Sequence, residues 1–183
     1  SAAPTISSFG IKTPISVLNP ENNHENVRLE SSFMINFRQP MDRVSVQEAV
    51  SLYSLNGENV AIDLEWTAET HLIISPTLNL DLNTDYTLML TPNARAATGG
   101  TLAEGLRWTF RTLPYPAVES VFPADGTTQG RFSSRFGVDF NTPINMDTLA
   151  GRVDVFPDLD QELSSYYNPS GWSADFWGLQ PST

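Results

Sequence analysis

Large apolar and polar side chains alternate most clearly at Phe33-Met34-Ile35-Asn36-Phe37-Arg38, a hexapeptide with Phe33, Ile35 and Phe37 on one face. Pro40-Met41-Asp42 follows it. The same pattern returns about a hundred residues later, the spacing of a repeated domain. There it reads Phe136-Gly137-Val138-Asp139-Phe140, followed by Pro143 and Met146-Asp147. Period-2 alternation predicts half-buried strands of antiparallel sheets. Other segments share it: Val60–Trp66, Tyr86–Leu90 and Leu106–Phe110, the last with Arg107, Thr109 and Arg111 outward. About seven short strands at turn spacing, with almost no helix, predict an all-β sandwich.

Between these runs the chain carries turn chemistry. Asn56-Gly57 predicts a hairpin with positive φ at both positions. Ser45 and Glu48 form a candidate capping box over a helix of one or two turns. The polar run Glu21–Asn26 reads as a loop. Leu113-Pro114-Tyr115-Pro116 favours extended backbone and places a domain boundary. The expected domains are therefore residues 1–113 and 114–183. In the second, Asp147 is the expected N-cap, Val153 and Val155 the next strand, and Trp172 the counterpart of Trp66. The stretch aligned with Leu80–Thr84 is Leu179–Thr183, so the final two strands are expected to be absent from the second module.

These residues resemble the bacterial Ig-like domain of surface-layer proteins, adhesins and the N-terminal region of bacterial alpha-2-macroglobulin-like proteins. Phe37 through Pro40-Met41-Asp42, Asn56-Gly57, Trp66, Leu82-Asn83-Thr84-Asp85-Tyr86, Gly99-Gly100 and Trp108–Thr112 carry the resemblance. It implies two tandem antiparallel Ig-like β-sandwich domains, the second incomplete. It also implies an extracellular or cell-envelope setting and a larger parent protein. The expected role is a non-catalytic structural or interaction module, in the narrowest form the N-terminal segment of an alpha-2-macroglobulin-like protease inhibitor. The alternative is a carbohydrate-binding or accessory module of a secreted polysaccharide-active enzyme. The expected partners are neighbouring domains, or another chain that completes the second module.

Charge narrows the partners. Ten basic and 21 acidic residues leave a formal net charge of −11, which repels phosphate backbones and disfavours nucleic acid. No apolar run approaches the roughly 20 residues that cross a bilayer, so membrane insertion is not expected. Without cysteine there is no thiolate nucleophile and no disulfide. His24 and His71 lack neighbours at metal-ligand spacing, and no nucleophile–base constellation is visible. No catalytic residue and no cofactor is expected, with calcium the one candidate ion. Asp154, Asp158, Asp160 and Glu162 are the candidate metal ligands, since hard cations take several oxygens from one segment. The aromatic set Tyr166, Tyr167, Trp172, Phe176 and Trp177 reads as sandwich core, with Trp177 the member expected at the surface.

Overall fold

The computed structural model describes residues 3–12, 17–18, 21–127, 135–149, 152–156 and 163–178. It divides into two compact units, Ser1–Leu113 and Pro114–Thr183.

In the first unit, β1 (Ile6–Lys12), β2 (Val17–Leu18), β4 (Ser32–Phe37), β7 (Ile62–Ala68) and β8 (His71–Pro76) form one sheet, ordered β2-β1-β4-β8-β7. A second sheet, ordered β3-β10-β9-β5-β6, holds β3 (His24–Val27), β5 (Val50–Ser54), β6 (Asn59–Val60), β9 (Asp85–Leu90) and β10 (Leu106–Thr112). Alternation puts Phe33, Ile35 and Phe37 inward on β4, and Tyr86, Leu88 and Leu90 inward on β9; all six are buried. The sheets meet through aromatic rings. Trp108 on β10 lies 5.0 Å from Phe9 and 5.7 Å from Phe33, and Phe110 lies 5.1 Å from Phe33. Each such side chain contributes about 1.5–3 kcal/mol by leaving water. The unit is the predicted sandwich.

Three local readings change. His24–Val27 is a strand where the sequence reads as loop, and it pairs with β10 in parallel. The reason is side-chain hydrogen bonding, not alternation: Asn22 Oδ1 accepts from the Thr109 N–H at 2.8 Å, and Trp108 Nε1 donates to the Glu21 carbonyl at 2.8 Å. The helix α1 (Arg43–Ala49) is capped by Asp42, not Ser45: Asp42 Oδ1 accepts from the Ser45 N–H at 2.8 Å. In the Asn56-Gly57 turn only Gly57 takes a left-handed φ, at 80°.

The described strands of the second unit are β11 (Val118–Phe122), β12 (Arg135–Phe140), β13 (Ser164–Asn168) and β14 (Ser173–Trp177). They form one antiparallel sheet, ordered β11-β12-β14-β13. The order matches β1-β4-β8-β7 of the first unit strand for strand. The irregularity matches too: β1 slips register between Ile6 and Ser8 against β4, and β11 slips between Val118 and Ser120 against β12. Flanking hydrogen bonds repeat as well. Phe37 N donates to Thr70 O at 2.8 Å, and Phe140 N to Trp172 O at 3.0 Å. Arg38 N donates to Thr5 O at 3.0 Å, and Asn141 N to Ala117 O at 3.1 Å.

Register corrects further expectations. Tyr167 lies opposite Ala174 as Trp66 lies opposite Leu72, so Tyr167 takes the place of Trp66. Trp172 sits in the turn before β14, at φ 50°. The helix α2 (Met146–Leu149) is led by Asn145, whose Oδ1 accepts from the Asp147 N–H at 3.0 Å. Asp147 is inside its first turn rather than capping it. Residues 153–155 are irregular, because no strand among the described residues lies beside them to accept a ladder.

Candidate functional site

Among the described residues no three His, Asp or Glu side chains gather into a group fit for a metal. Asp154 is exposed in an irregular segment, while Asp158, Asp160 and Glu162 lie outside the described residues. His71 Nδ1 shares a hydrogen bond with its neighbour Thr70 Oγ1 at 2.9 Å, and His24 lies beside the Trp108 ring.

The aromatic set is more informative, because β13 and β14 split it between two faces. Cross-strand partners share a face, and neighbours along a strand take opposite ones. Phe136, Val138 and Phe140 define the inner face of the second sheet. Phe176 joins them, its ring stacked on Phe136 at 4.8 Å and 12°. Tyr167 lies on that face and its hydroxyl oxygen accepts from the Ile144 N–H at 2.9 Å. Trp172 is half-buried and packs on the same cluster from the turn.

This inner face is open along β11. Val118 pairs with Phe140 and Val121 with Val138, so both valines belong to it, yet they are 59% and 43% exposed. The corresponding side chains of the first unit are Ile6 and Phe9. Phe9 is only 6% exposed, because β10 covers it.

The outer face carries the rest of the set. Phe122 on β11 is opposite Gly137 on β12, Gly137 opposite Asp175 on β14, and Asp175 opposite Tyr166 on β13. One row thus crosses all four strands, with an exposed aromatic at each end: Phe122 and Tyr166 are both 57% exposed. The sequence named Trp177 as the surface member; it is half-buried, and Tyr166 is the exposed one. Trp177 pairs with Arg135 on the outer face, one step along β14 from Asp175. Arg135 Nε and Nη2 donate to Asp175 Oδ1 at 2.8 Å and 2.6 Å. That oxygen lies over Gly137, where a Cβ would stand 2.9 Å from it. A side chain at Gly137 would push the Asp175 carboxylate aside.

The outer face of the first unit differs at the matching positions. Its row reads Gly10, Met34, Ile73 and Glu65, with no aromatic ring.

The family model described as a bacterial Ig-like domain matches residues 11–112, more than half of the chain, and the second unit lies outside the match. No helix of the described residues is long and apolar enough to cross a membrane. Among curated protein sequences none matches. Several solved structures are similar at low identity. An LD transpeptidase solved in complex with imipenem is 17% identical, at a TM-score of 0.42, covering 76% of this chain and 50% of its own. An S-layer protein, rSbsC(31-844), is 13% identical at a TM-score of 0.40, covering 96% of this chain and 22% of its own. CopC from Methylosinus trichosporium OB3b is 12% identical at a TM-score of 0.40, covering 59% of this chain and 95% of its own. The chain therefore spans half, or less, of the first two proteins.

Proposed function

We propose, for a chain that belongs to the bacterial Ig-like domain family, a non-catalytic structural and interaction role in a larger secreted or cell-surface bacterial protein. The second unit is read as a second copy of the same module. The carrying observation is that it rebuilds the sheet β1-β4-β8-β7, bulge included, and leaves the β11 edge of the inner face open where the first unit covers the matching edge with β10, while Ile144, Met146, Leu149 and Trp172 pack over its centre. A face of that kind is made to be covered, by a neighbouring domain or by another chain. The acidic surface and the absence of cysteine are compatible with an extracellular or cell-envelope setting. The narrower placement, in an alpha-2-macroglobulin-like protease inhibitor, rests on the sequence resemblance alone.

Amide hydrogen exchange tests the module reading. The chain is compared with a version extended after Thr183 by a further copy of residues Asp85–Thr112, the β9–β10 hairpin. Exchange in β11, β12 and β14 is expected to slow at least about tenfold in the extended chain, as sub-global opening is suppressed. Unchanged exchange overturns the reading of the second unit as an uncovered copy. A separate assay tests the catalytic side: saturable turnover of peptide or glycan substrates, lost on one substitution, overturns the non-catalytic role.

A further inference from the structure

The outer face of the second sheet is in excess of what a spacer needs. Exposed single hydrophobics are ordinary, but here two exposed rings and a half-buried indole share one sheet face with one ion pair. From this arrangement we infer that Phe122, Tyr166 and Trp177, with the Arg135–Asp175 pair, form a binding platform for a neutral oligosaccharide.

The chemistry of the ligand follows from the parts. Pyranose rings present apolar C–H faces and a rim of hydroxyls. Aromatic rings take the faces, and a few placed polar groups take the hydroxyls, the usual division of labour in small-ligand sites. Arg135 Nε and Nη2 both donate to Asp175 Oδ1, and among the described residues no hydrogen bond engages Oδ2, which can accept from a hydroxyl donor. The pair neutralises itself, and the chain is acidic, so polyanionic glycans are disfavoured. Size follows from sheet geometry. Phe122 and Tyr166 are three strand spacings apart, about 14 Å at about 4.8 Å per strand, the length of about three sugar rings. Gly137 lies in the row between them and keeps the floor low. Nothing comparable occupies the matching row of the first unit, so one unit binds and the other does not.

This inference does not depend on the covering of the inner face, and its test is separate. The full chain is titrated with neutral β-1,4-linked hexasaccharides of glucose, xylose and N-acetylglucosamine, and with a galacturonate hexasaccharide as the polyanionic comparison, followed by calorimetry and tryptophan fluorescence. At least one is expected to bind. Tyr166→Ala and Phe122→Ala should each weaken it at least about tenfold, the scale of a lost ring contact. Asp175→Asn should weaken it with far-ultraviolet dichroism unchanged, and Glu65→Ala, at the place in the first unit that matches Tyr166, should leave it intact. Three results each overturn the inference: no heat with any of the sugars up to about 10 mM; binding that survives Tyr166→Ala and Phe122→Ala together; or binding only to a polyanionic glycan, abolished by salt.

Discussion

The sheet β1-β4-β8-β7 and the sheet β11-β12-β14-β13 share strand order, a register slip and flanking hydrogen bonds, yet their inner faces meet different surroundings. In the first, Phe33 and Ile35 are fully buried; in the second, Phe136 and Val138 are half-buried. The difference teaches that backbone topology is set inside the sheet, by ladders and turns, while burial is set by whatever lies across it. A strand pattern alone therefore reports which face is apolar, not whether that face is covered.

The widest separation should come from paired truncations. Phe33→Ala should lower stability of the first unit by about 3–5 kcal/mol in urea unfolding, the range for emptying a buried aromatic site. Phe136→Ala should cost less than half of that, since solvent already reaches the ring. Equal losses would break the comparison. The helix caps come next. Asp42→Ala removes the acceptor of the Ser45 N–H and should cost about 1 kcal/mol, measured the same way. Asn145→Ala should cost about half as much, since α2 is a single turn with no buried residue. Smaller still, Val121→Ala should change stability by no more than about 0.5 kcal/mol in the chain alone. Appending the β9–β10 hairpin should make that same substitution measurably destabilising.

The smallest contrast is one of pH. Burial pushes the Tyr86 phenol above its ordinary value of 10.0; the Asp81 N–H hydrogen bond opposes this, and the Asp81 and Glu58 carboxylates add to it. The native state then holds the proton more tightly than the unfolded chain. Its contribution is fully present below pH 10.0 and is lost as pH rises through the raised native value. Chemical denaturation at about pH 9 and about pH 11 should show the first unit weakening, with the slope reduced in Tyr86→Phe.

How much of this was legible depended on which interaction fixed each element. β4, β9 and β10 were legible because their cores alternate without interruption. β3 was not, because three of its four residues, His24, Glu25 and Asn26, are polar and side-chain bonds from Asn22 hold the segment to β10. Tyr167 rather than Trp172 matches Trp66 because the β13–β14 turn fixes the register, and distance along the sequence does not see it. The platform was legible in principle. Tyr166-Tyr167 and Phe176-Trp177 are adjacent pairs, and a strand must send adjacent side chains to opposite faces. Grouping them as one core overlooked that rule. Phe122 follows Val121, so the same rule applies to that pair, and the pairing of Val121 with Val138 settles which of the two faces inward.

The parallel pairing of β3 with β10 gives the first unit a mechanical character. His24 lies beside Phe110 and Val27 beside Thr112, so tension entering β3 at its start and leaving β10 at its end pulls the two strands past each other. Their bonds, with those from Asn22 and Glu21, are then loaded in shear and share the force, where an antiparallel hairpin pulled from its open end would unzip one rung at a time. Stretched between the start of β3 and the end of β10, the unit would yield late and abruptly rather than by gradual peeling.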